Sequence, residues 1–141
     1  ARVYLYWTPA AWLAVSGEYQ YERSEHDFYL PGPEDFIKAE THRFPLGLNF
    51  FCPLGFTAGL KATYVDQEVD YEYPAWNIVT GSDDFWVFDA SVGYRLPKRY
   101  GILSVEAKNI FNAGFRFQDT DPASPRISPE RLVVGKFTLS F

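Results

Sequence analysis

Alternation of apolar and polar residues at period two, repeated about seven times along the chain, constrains this sequence more than any other feature. From Trp12 to Arg23, Leu13, Val15, Gly17, Tyr19 and Tyr21 fall on one side of an extended chain, and Ala14, Ser16, Glu18, Gln20 and Glu22 on the other. Successive side chains of extended backbone point opposite ways, so this is a strand with two unlike faces. The pattern returns with His42, Phe44, Leu46, Leu48 and Phe50 against Arg43, Pro45, Gly47 and Asn49. Next, Phe56, Ala58, Leu60, Ala62 and Tyr64 oppose Thr57, Gly59, Lys61, Thr63 and Gln67. Further on, Trp86, Phe88, Ala90, Val92, Tyr94 and Leu96 oppose Asp89, Ser91, Gly93 and Arg95; Leu103, Val105 and Ala107 oppose Ser104, Glu106 and Lys108. Val133, Gly135, Phe137, Leu139 and Phe141 close the series against Lys136, Thr138 and Ser140, and Val3 to Trp7 opens it. Pro45 is the one local conflict, because proline removes a ladder donor.

Composition narrows the classes. The 141 residues fit one domain. With Cys52 alone and two separated histidines, disulfide scaffolds and structural zinc are excluded. A net charge of -5 without Lys/Arg runs argues against nucleic acid. No apolar run reaches the roughly 18 residues of a membrane helix. A chain with no methionine that opens on Ala1-Arg2-Val3 reads as a piece of a longer one. A soluble all-β domain and a membrane β-barrel remain, and composition does not separate them, since barrel strands also alternate.

The connections alternate in length. Thr8 to Ala11, Cys52 to Gly55 and Pro97 to Gly101 read as tight turns, whereas Ser24 to Glu40, Asp70 to Asp83 and Asn112 to Glu130 read as long polar loops. Short turns at one end and long loops at the other is the habit of outer-membrane barrels. Small aliphatic residues occupy mid-strand on the apolar face, Leu13, Val15, Leu46, Leu60, Ala90 and Val105 among them. Trp12, Tyr19, Tyr21, Phe44, Phe50, Tyr64, Trp86 and Tyr94 gather near the strand ends, as in an aromatic girdle. A soluble lipocalin-like barrel shares the periodicity, with its apolar face inward. The girdle pattern favours the membrane: the expectation is an all-β fold, an antiparallel transmembrane β-barrel segment. Because single-chain bacterial barrels have even strand numbers, residues 1–141 are expected to be the closing part of a larger barrel.

On that frame Glu18, Gln20, Glu22, Arg43, Lys61, Gln67, Asp89, Arg95, Glu106, Lys108 and Lys136 line a lumen, with both signs interspersed. Glu25-His26-Asp27 sets an imidazole between carboxylates, but neighbours in a loop rarely converge on one reacting atom, and solvated loop residues are the better reading. Asp83-Asp84 and Asp119-Thr120-Asp121 fall short of a calcium-loop spacing. Phe28, Tyr29, Tyr71, Tyr73, Trp76, Phe115 and Phe117 are loop aromatics, read as girdle or loop packing rather than a ligand surface. No catalytic residue, cofactor or metal site is expected, and the chain is read as a non-enzyme.

Three stretches carry a family resemblance: Asp89 to Arg95, Val105-Glu106-Ala107-Lys108-Asn109-Ile110-Phe111-Asn112, and Leu132 to Phe141 ending in phenylalanine. Together they resemble the C-terminal end of a TonB-dependent receptor barrel. The resemblance implies a Gram-negative outer-membrane location, with long loops extracellular and short turns and C-terminus periplasmic. It also implies import of a nutrient or metal chelate, with the lipid, the remainder of the barrel, the barrel assembly machinery and the TonB system as partners. Gly135, Phe137, Leu139 and Phe141 would then be the C-terminal assembly signal. An export porin with upstream periplasmic repeats, or a structural or adhesive outer-membrane protein, fits the same residues. The plug that defines such importers is not among them, so no substrate-binding residue carries over.

Overall fold

The computed structural model describes residues 1–25, 35–73, 77–114 and 130–139. Its strands are β1 (Arg2–Ala10), β2 (Leu13–Glu25), β3 (Asp35–Phe51), β4 (Phe56–Tyr73), β5 (Asn77–Arg95), β6 (Gly101–Lys108) and β7 (Leu132–Leu139). They form one antiparallel sheet of seven strands in chain order, each paired with its neighbour in sequence. The all-antiparallel, seven-stranded expectation therefore stands, but the transmembrane β-barrel does not. The sheet is open: β1 pairs with β2, β7 with β6, and no ladder joins β1 to β7 among the described residues. Strand number supplies the physical reason. In an alternating series of seven, the first and last strands run the same way, so no antiparallel ladder can close between them.

Two of the three expected long loops, Ser24 to Glu40 and Asp70 to Asp83, are also shorter than the sequence suggested. β2 continues to Glu25, β3 begins at Asp35, β4 runs on to Tyr73 and β5 starts at Asn77. The alternation does not stop there; it changes face. Up to Tyr64 the even positions of β4 are apolar, whereas beyond it Asp66, Glu68, Asp70 and Glu72 are acidic and Val65 and Val69 alternate with them. The phase inverts while the strand continues, and a search for one constant apolar face reads the inversion as an end.

This inversion positions the core. Near the tight turns the apolar face is open, with Leu46, Leu60, Val92 and Val105 about half exposed. In the half beyond Tyr64, burial moves to the opposite face: Val65, Phe85 and Val87 form a small cluster, with Ala39, Thr41, Arg43, Thr63, Gln67 and Val69 buried beside it. The first face becomes polar in turn, with Lys38 Nζ 3.0 Å from Glu40 and the Thr80 hydroxyl donating to Asp70 at 2.7 Å.

Pro45 is accommodated by register. Phe51 donates to the Trp12 carbonyl at 2.8 Å, which assigns the backbone groups of odd-numbered β3 residues to the β2 side. Pro45 keeps its place opposite Thr63 of β4, and the β2–β3 pairing breaks between Leu46 and Arg43, where its N–H is missing. Gly55, at φ +95, turns β3 into β4, and a β-carbon there would press on the Arg95 carbonyl.

Candidate functional site

All the residues read as lumen-lining lie on one face of the sheet. Successive registers set Glu22, Thr41, Gln67 and Asp83 in one row, and Ser16, Gly47, Lys61 and Asp89 in another. Gly59, Ser91, Glu106 and Val134 form a third, and Gly93, Ser104 and Lys136 a fourth. The side chains differ in setting. Arg43 is buried and donates to Glu22 Oε2 at 2.8 Å; Gln67, also buried, donates to the Thr41 hydroxyl at 3.1 Å. Lys61 Nζ lies 3.9 Å from Asp89, and Arg95, Glu106, Lys108 and Lys136 are exposed. Because the sheet is open, these residues share a face rather than enclose a lumen.

Part of this face is hollowed into a recess of about 360 Å³ bordered by Ser16, Glu18, Asn49, Lys61, Asp89 and Lys108. Its floor is low because Gly47 and Gly59 carry no β-carbon. One at each would collide with the hydroxyls of Ser16 and Ser91, which lie across the strands instead. At its rim Glu18 accepts from Gln20 at 2.9 Å and pairs with Arg2 of the edge strand. That bond to Arg2 is the main reason the Glu18 carboxyl is held below the usual carboxylate range. A carboxyl lowered on folding stabilises fully above its unfolded value near 4.5 and loses that contribution as pH falls through the lower folded value. Urea titrations of the parent are therefore expected to weaken with acid in this window. Glu18→Gln removes the share due to Glu18, and an unchanged acid limb in that variant would exclude this carboxyl.

The residues read as a girdle form ring ladders at both ends of the apolar face. Near the tight turns Trp12 stacks on Phe50 at 6.3 Å, and Phe56 meets Tyr94 at 4.6 Å. Toward the other end Tyr19, Phe44, Tyr64, Trp86 and Phe88 run ring to ring across four strands, at 5.0, 6.2, 5.2 and 6.1 Å in turn. Tyr21 packs on His42, which shares a 2.8 Å hydrogen bond with the Tyr19 hydroxyl. Cross-strand aromatic pairs of this kind contribute roughly 0.2 to 1 kcal/mol each.

The loop candidates do not converge. Asp83 and Asp84 are consecutive residues of β5 and face opposite ways, and Tyr71 and Tyr73 are strand residues of β4. Glu25 ends β2 beside Arg23, with which it pairs. His26, Asp27, Phe28, Tyr29, Trp76, Phe115, Phe117, Asp119 to Asp121 and Phe141 lie outside the described residues. Gly135, Phe137 and Leu139 lie on β7, where Phe137 and Leu139 are exposed.

Which backbone groups of the two edges point outward is fixed by register, and it follows from the hydrogen bonds. The Ala1 amine donates to the Tyr21 carbonyl at 2.7 Å and the Tyr21 N–H returns to Ala1 at 2.8 Å. Odd residues of β1 thus bond to β2, so the backbone groups of Arg2, Tyr4, Tyr6 and Thr8 point out of the sheet. Leu96 donates to Gly101 at 2.9 Å, and the same counting leaves those of Val133, Gly135, Phe137 and Leu139 pointing out of β7.

No known protein family, no curated protein and no solved structure matches the chain. With neither a closed barrel nor a matching receptor, the resemblance to a TonB-dependent receptor is not upheld. The readings that rested on it are withdrawn: nutrient or chelate import, a porin, the Gram-negative outer-membrane location, and lipid, barrel remainder, assembly machinery and TonB as partners.

Proposed function

We propose that this chain is a non-catalytic β-sheet module that acts by association, taking up further β-strands along its free edges. The observation that carries this reading is the composition of those edges. β1 exposes Val3, Leu5 and Trp7 on one face and Tyr4 and Tyr6 on the other, all more than 60% accessible. β7 likewise exposes Leu132 and Val134 on one face, Val133, Phe137 and Leu139 on the other, and carries only Lys136 as a charge. Sheet edges that stay solitary are blunted by charges, prolines or brevity, because a row of unpaired N–H and C=O groups is a template for another strand. The regularly paired stretch of β1, Arg2 to Trp7, carries no proline and only Arg2 as a charge, itself paired with Glu18; Pro9 lies in the register break between Trp7 and Ala10, and the outward series of β7 carries no charge and no proline. Strand addition supplies affinity through main-chain bonds and specificity through alternate side chains. Charges on the polar face engage one another, as Arg43 with Glu22 and Lys61 with Asp89, which suits a structural role better than a reacting one.

Amide hydrogen exchange tests this directly. Association is expected to slow exchange selectively at Arg2, Tyr4, Tyr6 and Thr8, or at Val133, Gly135, Phe137 and Leu139, as protein concentration rises. Tyr4→Lys with Tyr6→Lys should restore fast exchange on β1 without loss of β-sheet circular dichroism. If both outward series exchange at the same rate at every concentration, the edges take no strand.

A further inference from the structure

We propose that β1 pairs with β1 of a second copy of this chain, antiparallel and centred on Leu5, so that two sheets join into one. The inference rests on the edge-association reading and supplies its partner. An antiparallel pair of identical strands has a two-fold axis, so the pairing must be self-complementary. The outward backbone groups lie at Arg2, Tyr4, Tyr6 and Thr8. Centring the pair on Leu5 sets Tyr4 opposite Tyr6 of the second copy and Arg2 opposite Thr8, so every one of those groups meets an outward partner. Centring on Tyr4 leaves Thr8 without one, and centring on Tyr6 sets Arg2 against Ala10, which pairs with Leu13 and so turns its backbone groups toward β2. A shift by one residue moves the side chains to the wrong faces.

Side chains agree with the same register. On one face Leu5 meets Leu5 and Val3 meets Trp7, aliphatic and aromatic groups more than 60% exposed in the single sheet. On the other, Tyr4 and Tyr6, already 5.7 Å apart along the strand, meet their counterparts as a cluster of phenol rings. No like charges oppose one another, since Arg2 faces Thr8. Directly opposed residues share a face, so the apolar face of one copy continues into that of the next. β7 is the weaker template for self-pairing, because Gly135 at its middle contributes no side chain to the pair.

A Leu5 pair at the axis does not exchange hydrogen bonds, and such pairs bring their Cα atoms to about 4.5 Å, within disulfide reach. The test uses the full chain in a Cys52→Ser background, since Cys52 is exposed and free. Under mild oxidation Leu5→Cys is expected to shift from monomer to linked dimer on a non-reducing gel, whereas Tyr4→Cys and Tyr6→Cys stay monomeric. Linkage through Tyr4→Cys or Tyr6→Cys in place of Leu5→Cys overturns the register. Absence of linkage in all three overturns the β1 pairing. The edge-association reading fails separately, when neither β1 nor β7 amides gain protection with concentration.

Discussion

Glu22→Ala is expected to lower the free energy of unfolding by about 2 to 3 kcal/mol, read as a fall in the urea midpoint at unchanged slope. Arg43 is only 2% accessible on β3, so its guanidinium sits where little water reaches it. Glu22 on β2 accepts from it at 2.8 Å. Removing Glu22 takes its carboxylate from a guanidinium that little water reaches, which costs more than losing an exposed pair. The expected cost sits below the full penalty for a dry pair because Glu22 keeps 30% of its side chain in solvent. Glu22→Gln retains an acceptor and should lose less. Replacing both residues, Glu22→Leu with Arg43→Met, should recover much of the loss, since apolar groups of similar size often substitute for a buried pair without cost. If Glu22→Ala unfolds at the parental midpoint, Arg43 is held by its other surroundings and the pair is incidental.

That pair also shows how far the sequence is legible. Period two along β2 and β3 places Glu22 and Arg43 on one face, and this needs no structure. Their pairing depends on register, which holds constant on both sides of the gap at Pro45 and sets Arg43 opposite Gln20 and Thr41 opposite Glu22. Strand count and order were likewise legible, because each apolar run is bounded by turn residues. The far halves of β3, β4 and β5 were not. Beyond Tyr64 the apolar series passes from even to odd positions, so Val65, Phe85 and Val87 look misplaced until their face is seen to be the buried one. Assignment to a transmembrane barrel was the largest misreading. A sheet whose middle is aliphatic and whose ends are aromatic carries the same local pattern whether or not its edges meet, since the pattern reports the faces of strands and says nothing of what lies beside the first and last.

The second large effect is expected at Asn109, and it gives a local cause to the run Asn109-Ile110-Phe111-Asn112 that suggested a family. Asn109 follows β6, is fully buried, and sits at φ +48, a left-handed conformation that asparagine tolerates better than most side chains. Its amide group clasps Ala113: Oδ1 accepts from the Ala113 N–H at 2.8 Å and Nδ2 donates to the Ala113 carbonyl at 3.2 Å. Its own N–H donates to Asp89 Oδ1 at 2.9 Å, so the turn is tied to β5. Asn112, also left-handed at φ +52, accepts from the Arg131 N–H at 2.9 Å and ties the turn to the start of β7. Asn109→Ala loses both bonds to Ala113 and keeps a β-carbon in the left-handed region. A loss of about 2 to 4 kcal/mol is expected, the sum of two hydrogen bonds and the conformational penalty. Asn109→Gly separates the two causes, because glycine adopts the conformation freely but makes neither bond; it should fall about 1 kcal/mol short of the alanine loss. Urea unfolding of both variants reads the difference, and hydrogen exchange locates it, since amides of β6 and β7 should open before those of β3 and β4. Equal losses in the two variants would remove backbone strain from the account. Parental stability in both would mean that β7 is held by its ladder to β6 alone and that the turn follows the sheet.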